Sequence, residues 1–228
     1  GDVYKRQALG DASGINVGAI MNSWLEQPGY PVVTAKVEDG KLTLSQQQFF
    51  IGESKDVDRK WQIPLNSNYD AVPEIMADQT VTVGDYKELR QANGKPFFLN
   101  VGNNSHFIIQ YDETLMKDIL DNVDDLDAIS QLQVLQDLRL LADGRKNSYA
   151  NIVPLLPRFA DSHSNIVNAA LYRVANNLKK FVTPKSAEEK ELKQFFDKLS
   201  SAQLDRLGFV PKDGESNDDQ LTLSLIHI

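Results

Sequence analysis

Three histidines and a few clustered aspartates are the side chains of this chain whose types and grouping could hold a metal or run acid–base chemistry. A zinc site needs three or four ligands. The turn Asp161-Ser162-His163-Ser164 offers two, Asp161 and His163, and reads as a cap cluster between helices. His106, between Ser105 and Phe107, reads as a strand residue that faces solvent or accepts one hydrogen bond. His227 stands next to the last residue. The run from Asp121 through Asp124 and Asp125 to Asp127 is acidic enough for calcium. It lacks the turn glycine and distal glutamate of an EF-hand loop, so it reads as a helix junction with capping aspartates. Glu215 to Asp219 reads as a solvated helix start. No H-E-x-x-H pair of zinc ligands, no G-x-S-x-G and no glycine-rich phosphate loop occurs. Gly10, Gly14 and Gly18, spaced at four, suggest close helix packing, and Trp24 and Trp61 read as core residues. The expected site inventory is therefore catalytic residues none, metal ligands none, substrate-binding residues unassigned.

Composition narrows the class further. With 41% hydrophobic and 25% charged residues the chain is ordinary globular material, long enough for one large or two modest domains. No stretch approaches the ~20 apolar residues of a membrane span. There is no cysteine, which excludes disulfides and thiolate metal sites. A net charge of -8, with acids spread over helix faces, argues against a nucleic-acid partner. The basic doublets Arg145-Lys146 and Lys179-Lys180 each sit where a helix is expected to end, a place that favours cations.

The elements that would position any site fall into three parts. From Ala8 to about Gln27 the pattern is helical, with Ile15, Val17, Ile20, Met21, Trp24 and Leu25 on one apolar edge and Asp11 or Ser13 as cap. Pro28-Gly29 stops it. From Pro31 to about Tyr111 the period is two. Val32 to Val37, the Asp39-Gly40 turn and Lys41 to Ser45 form a hairpin. Further strands are expected at Gln48 to Ile51, Trp61 to Leu65, Val81 to Val83, Phe97 to Val101 and Ser105 to Tyr111, the signature of a β-sandwich. Asp78 to Asn93 is compatible with a short helix. From Asp112 onward helices take over, marked by Leu115, Ile119 and Leu120, then by Leu132, Leu135, Leu138 and Leu141, closed by Asp143-Gly144. A third helix runs from Ser148 to about Ala160. A fourth begins at Ser164, with Ile166, Val167, Ala170, Leu171 and Val174 on one face. A fifth follows a Ser186/Glu189 capping box, with Leu192, Phe195, Phe196 and Leu199 as its buried edge. Short loops between them imply antiparallel neighbours.

The run from Gly14 to Val33, with Met21-Asn22-Ser23-Trp24 on the helix, then Gln27 and the turn Gly29-Tyr30-Pro31-Val32, resembles the end of the catalytic domain in zinc aminopeptidases of the aminopeptidase N type. The segment from Asn100 to Tyr111-Asp112 resembles that family's closing sandwich strand, with His106 where an aromatic is usual. Leu138-Arg139 to Ala142-Asp143 is similar to its second helix. The resemblance implies a multidomain fold, β then α. A short helical tail (1–30) ends a zinc-protease domain, a β-sandwich (31–111) follows, and an antiparallel, α-solenoid-like helical domain (112–228) completes it. It implies a cytoplasmic parent enzyme that removes N-terminal residues from peptides with zinc. The zinc ligands and general base would lie before Ala8, so that this chain binds no cofactor and is inactive. Peptide substrates, no nucleic acid and no membrane are the implied partners. The apolar face of the helix Val17 to Leu25 should then lack a partner, or fold back onto the sandwich. The alternative reading is a stand-alone β-sandwich plus helical-repeat interaction module.

Asp2-Val3-Tyr4-Lys5-Arg6-Gln7 can be written as a DNA string whose reverse complement translates as the six residues Leu223 to Ile228. Both ends are therefore expected to derive from adaptor DNA. The natural sequence would run from about Ala8 to Thr222, and residues 1–7 and 223–228 would contribute nothing to the fold.

Overall fold

The computed structural model describes residues 2–53 and 58–226, which form two compact units meeting between residues 119 and 120. His227 and Ile228 lie outside the described residues.

The first unit begins with two helices where one was expected, α1 (Asp2–Ser13) and α2 (Val17–Leu25). Gly14 takes the left-handed φ of +69° and breaks the helix there. Neither expected cap serves α2. Asn16 does, its side chain accepting the amide of Ala19 at 3.0 Å, while the Ser13 hydroxyl donates back to the Leu9 carbonyl. Residues of the N-terminal tail also take part in the structure, since the Arg6 guanidinium donates to the Asn22 side chain at 2.7 Å.

β1 (Pro31–Glu38) and β2 (Lys41–Gln48) form the expected hairpin, in register from Pro31↔Gln48 to Glu38↔Lys41. Asp39 and Gly40 both have positive φ, +48° and +78°, the condition for a two-residue turn whose twist matches the strands. A two-residue ribbon pairs β3 (Ile63–Pro64) with β4 (Ile75–Met76). β5 (Thr80–Asp85) joins β2, α3 (Tyr86–Asn93) follows under an Asp85 cap, and β6 (Ile108–Tyr111) runs parallel to β1. The main sheet therefore has the order β5-β2-β1-β6. β1 is paired on both edges, and Val32, Val33 and Ala35 are fully buried.

Two expected strands are absent. Phe49 to Ile51 leave the sheet after β2, although Phe49 remains buried. Phe97 to Val101 form a loop in which Asn100 takes a φ of +54°. The Asn100 side chain accepts the Ser105 amide at 2.8 Å and donates to the Ser105 carbonyl at 2.9 Å, closing the turn without a ladder. Phe97 and Leu99 still fill the core, with Val33, Leu44, Trp61, Ile63, Met76 and Ile109. The main sheet and the ribbon thus share one core.

α2 does not lack a partner. Trp24 packs on this core, its ring 6.3 Å from that of Trp61, and its indole N–H donates to the Gln62 carbonyl at 2.9 Å. Ser23 accepts the Gln62 amide, and Gln27 donates to the Lys60 carbonyl at 2.7 Å. The rest of the apolar edge is less well covered: no residue of α2 is buried, and Leu25 is 63% exposed. At the exit, Gly29 has a φ of +88°, and a Cβ there would come within 2.5 Å of the Gln48 amide nitrogen. Gln48 is itself held by Arg59 at 2.7 Å, so the close approach requires glycine.

α4 (Glu113–Asp121) leaves the sheet directly. Its first residues seat Leu115 in the first core. In the second unit, α5 (Ala128–Asp143) buries Val134, Leu135, Leu138 and Leu141 and packs on α7 (Asn165–Asn177), which buries Val167, Leu171 and Val174. Ile166 was expected on that face but is 38% exposed. The expected third helix shortens to α6 (Tyr149–Ile152) and continues as a 3-10 stretch, Val153–Phe159. Pro154 and Pro157 account for this, because neither can donate an amide to a helical ladder. α8 (Ala187–Leu207) has the expected Ser186 cap, accepting the Glu189 amide at 3.2 Å, while the Glu189 carboxylate accepts the amide of Lys185. Its buried edge is Leu199, Gln203 and Leu207; Leu192, Phe195 and Phe196 are only half-buried. α9 (Asn217–Ile226) packs on α7 and α8, with Leu223 almost fully buried. Leu223 was expected to contribute nothing. It is apolar at a helical position that faces α7 and α8, and burial follows from that whatever its origin.

Trp24→Ala should cost about 1–3 kcal/mol, below the loss typical of a fully buried tryptophan because the ring is only partly covered. Urea unfolding followed by tryptophan fluorescence reads this directly, and a change under about 0.3 kcal/mol would mean that α2 is not anchored.

Candidate functional site

The sequence-derived candidates are dispersed and do not converge. His106 is exposed, with its ring 4.8 Å from Tyr30 and 6.2 Å from Trp24, so aromatic rings rather than metal donors surround it. His163 and Asp161 lie exposed in the turn before α7. The expected cap cluster has a different construction from Ser164 capping: Ser162 accepts the Ser164 amide, and the Asn168 side chain donates to the carbonyls of Ser162 and Ser164 at 2.8 and 3.0 Å. Asp127 caps α5, accepting the Ser130 amide at 2.7 Å. Asp121 is 3.6 Å from Arg158, whose guanidinium also donates to the Leu120 carbonyl. Among the described residues no three His, Cys, Asp or Glu side chains come together as a metal group. No reaction step is assigned to these residues.

Two polar clusters that sequence reasoning missed are well ordered by bonds. The first joins α3 to α4. Arg90 donates to both oxygens of Asp118, at 2.6 and 3.2 Å, and the Tyr86 hydroxyl adds a bond at 2.8 Å. Burial alone would raise the Asp118 pKa; the hydrogen bonds from Arg90 and Tyr86 outweigh it and hold the carboxyl below its ordinary value. Desolvation and the bond to Asp118 push Tyr86 upward, and burial pushes nearby Tyr69 to about 12. With hydrogen bonds from Arg90 and Tyr86 on its carboxylate, Asp118 ties α3 to α4. The arrangement is a clamp.

The second cluster ties α8 to the turn before α7 and to α9. Gln203 is buried and donates to the carbonyls of Ala160 and Ser162 at 2.7 and 3.0 Å. Its own oxygen accepts from Arg206, which pairs with Asp219 at 2.6 Å. The Arg206 bond, aided by Ser216, holds Asp219 below its ordinary pKa. Lys146, beside the end of α5, is lowered by burial. The Arg90–Asp118 spacing carries no sequence signal; the Gln203–Arg206 spacing of three, on one helix face, does.

The profile described as ERAP1-like C-terminal domain matches residues 96–227, more than half of the chain, and the chain belongs to that family. It is 58% identical over 213 residues to the aminopeptidase N of Lactobacillus helveticus, 93% of this chain and 25% of that protein. The aminopeptidase N of Lactobacillus delbrueckii subsp. lactis is 55% identical over 212 residues, with the same coverage. Aminopeptidase M1 of Arabidopsis thaliana is 27% identical over 231 residues, 94% of this chain and 26% of that protein. The chain thus spans about a quarter of the length of the curated relatives it matches. Among the described residues no helix is long and apolar enough to cross a membrane.

Asp118→Asn should cost about 1.5–3 kcal/mol at neutral pH, the range for hydrogen bonds to a charged group. The folded pKa of Asp118 lies below the unfolded value of about 3.9, so its contribution is complete above that value and is lost as pH falls through the folded one. The gap in urea midpoint between the two proteins should therefore hold from neutral pH to about 5 and shrink below about 4. A gap that widens on acidification would contradict the clamp.

Proposed function

We propose that the chain is the scaffold portion of a zinc-dependent aminopeptidase that removes N-terminal residues from peptides, and that it does no chemistry itself. The observation that carries this is the 58% identity to an aminopeptidase N across 93% of the chain, in a sequence with no H-E-x-x-H. Where such an enzyme holds zinc, the metal polarises the scissile carbonyl and activates a water. This chain's residues would instead hold surfaces in place around that site. On this reading residues 1–30 end a catalytic domain, 31–111 form a β-sandwich with the ribbon as its second layer, and 112–228 belong to a solenoid-like helical domain. The half-covered edge of α2, with Leu25 exposed, is consistent with a neighbour that packs there in the parent. A cytoplasmic setting and peptide substrates belong to the same reading.

Two arms test it. The purified chain should neither retain zinc after dialysis nor hydrolyse leucine p-nitroanilide. Placed in the Lactobacillus helveticus enzyme in exchange for the matching stretch, it should give an active hybrid. Zinc-dependent turnover by the chain alone, or a folded but inactive hybrid, would contradict the proposal.

A further inference from the structure

An open recess of about 960 Å³ lies in the helical unit, where the end of α5, the start of α6 and the 3-10 turn Leu178–Phe181 after α7 come together. Its lining residues all fall between Ala142 and Phe181, within the stretch expected to be natural sequence. Arg145 and Lys146 line it, the doublet that marks the helix end in the sequence. The helix end does not need their side chains. The carbonyls of Leu140, Leu141 and Ala142 already accept the amides of Gly144, Lys146, Asn147 and Arg145. Neither side chain has an ion-pair or hydrogen-bond partner among the described residues. Asp143 lines the same recess, but both its oxygens are taken, by Arg139 at 3.1 Å and by the Tyr149 hydroxyl at 2.9 Å. Lys146 is half-buried, and desolvation lowers its pKa with no carboxylate to offset the loss. Arg145 is exposed and takes a left-handed φ of +57°, while adjacent Gly144, which could adopt that region freely, stays at −80°. An arginine held at that cost points to a use for its guanidinium. Phe181, 68% exposed, stands with its ring 5.3 Å from that of Tyr149, and Leu178 adds aliphatic wall.

We infer that this recess binds a nucleoside monophosphate, its phosphate paired with Arg145 and Lys146 and its base stacked on the exposed ring of Phe181. Two unpaired cations match the nearly double charge of a phosphate monoester at neutral pH, and a guanidinium takes phosphate oxygens in bidentate fashion. A single carboxylate would leave one cation unmatched. Inorganic phosphate would leave the aromatic wall unused, and an uncharged nucleoside would leave both charges bare. The size agrees, since small-ligand sites run to roughly 300–1,000 Å³, room for base, sugar and phosphate together. A net charge of -8 repels a long polyanion beyond the recess, so the occupant is a single nucleotide rather than a strand. The site concerns this unit alone and stands whether or not the parent is a peptidase.

Adenosine monophosphate is the probe, read by thermal shift on the full chain. It should raise Tm saturably, with inorganic phosphate and adenosine each binding about tenfold or more weakly. Arg145→Gly removes the guanidinium and relieves the left-handed strain. It should therefore fold with an unchanged or higher Tm and bind the nucleotide about tenfold or more weakly. Lys146→Met should weaken binding similarly, and Phe181→Leu should bring the affinity down toward that of phosphate alone. No Tm rise up to about 20 mM nucleotide, well beyond a millimolar Kd, would overturn the assignment. So would an equal response to phosphate or adenosine, tighter binding of single-stranded oligoadenylate, or undiminished nucleotide binding in either cation variant.

Discussion

The Asp112 carboxylate bonds to backbone on both sides of the point where strands give way to helices. One oxygen accepts the Val37 amide at 2.7 Å, extending the β1–β6 pairing by one residue, and the Asp112 amide donates to the Ala35 carbonyl at 3.0 Å. The other oxygen accepts the Leu115 amide at 2.8 Å and caps α4. A parallel pair cannot be closed by a tight turn. Everything between β2 and β6 therefore lies in the crossover, and the sheet is complete only when β6 docks beside β1. One side chain couples that last long-range pairing to the start of the helices. Leu115, three residues on, then drops into the sheet's core.

The polar groups elsewhere show the same economy of purpose. Gln46, buried in β2, accepts the Trp61 amide at 2.8 Å and donates to the carbonyls of Trp61 and Asp78, so its side chain joins β2 to the segments before β3 and after β4. Arg90–Asp118 and Gln203–Arg206–Asp219 are likewise closed networks. Donors and acceptors consumed in this way hold a shape. That property suits a scaffold, although some buried polar atoms among the described residues, such as Trp61 Nε1, Asn168 Oδ1, Thr222 Oγ1 and the Tyr172 hydroxyl, stand outside such networks.

Much of this was legible in the sequence, and the exceptions have physical causes. The β1–β2 hairpin was readable because alternation and Asp39-Gly40 specify both strands and turn. The Ser186 cap and the leucine rows of α5 were readable because their period is local. Phe97 to Val101 misled because burial in a loop leaves the same apolar residues as burial in a strand; only Asn100, tolerant of positive φ, hints at the turn. The third helix broke at prolines that were visible but outweighed by its apolar content. The docking of Trp24 beside Trp61 was beyond local reasoning, since the partners are 38 residues apart for the bond to Gln62 and no periodicity links them. The expectation of no catalytic or metal residues rests on a ligand count made from sequence, whereas networks such as Arg90–Asp118 exist only in the packed structure.

Amide hydrogen exchange in Asp112→Ala tests the central coupling most directly. If one carboxylate joins the sheet to α4, the amides of Val37 and Leu115 should lose protection together, with the loss spreading to the β1–β6 pairing and to the first turn of α4. Val37 and Leu115 keeping their protection, or only one of them losing it, would contradict that account.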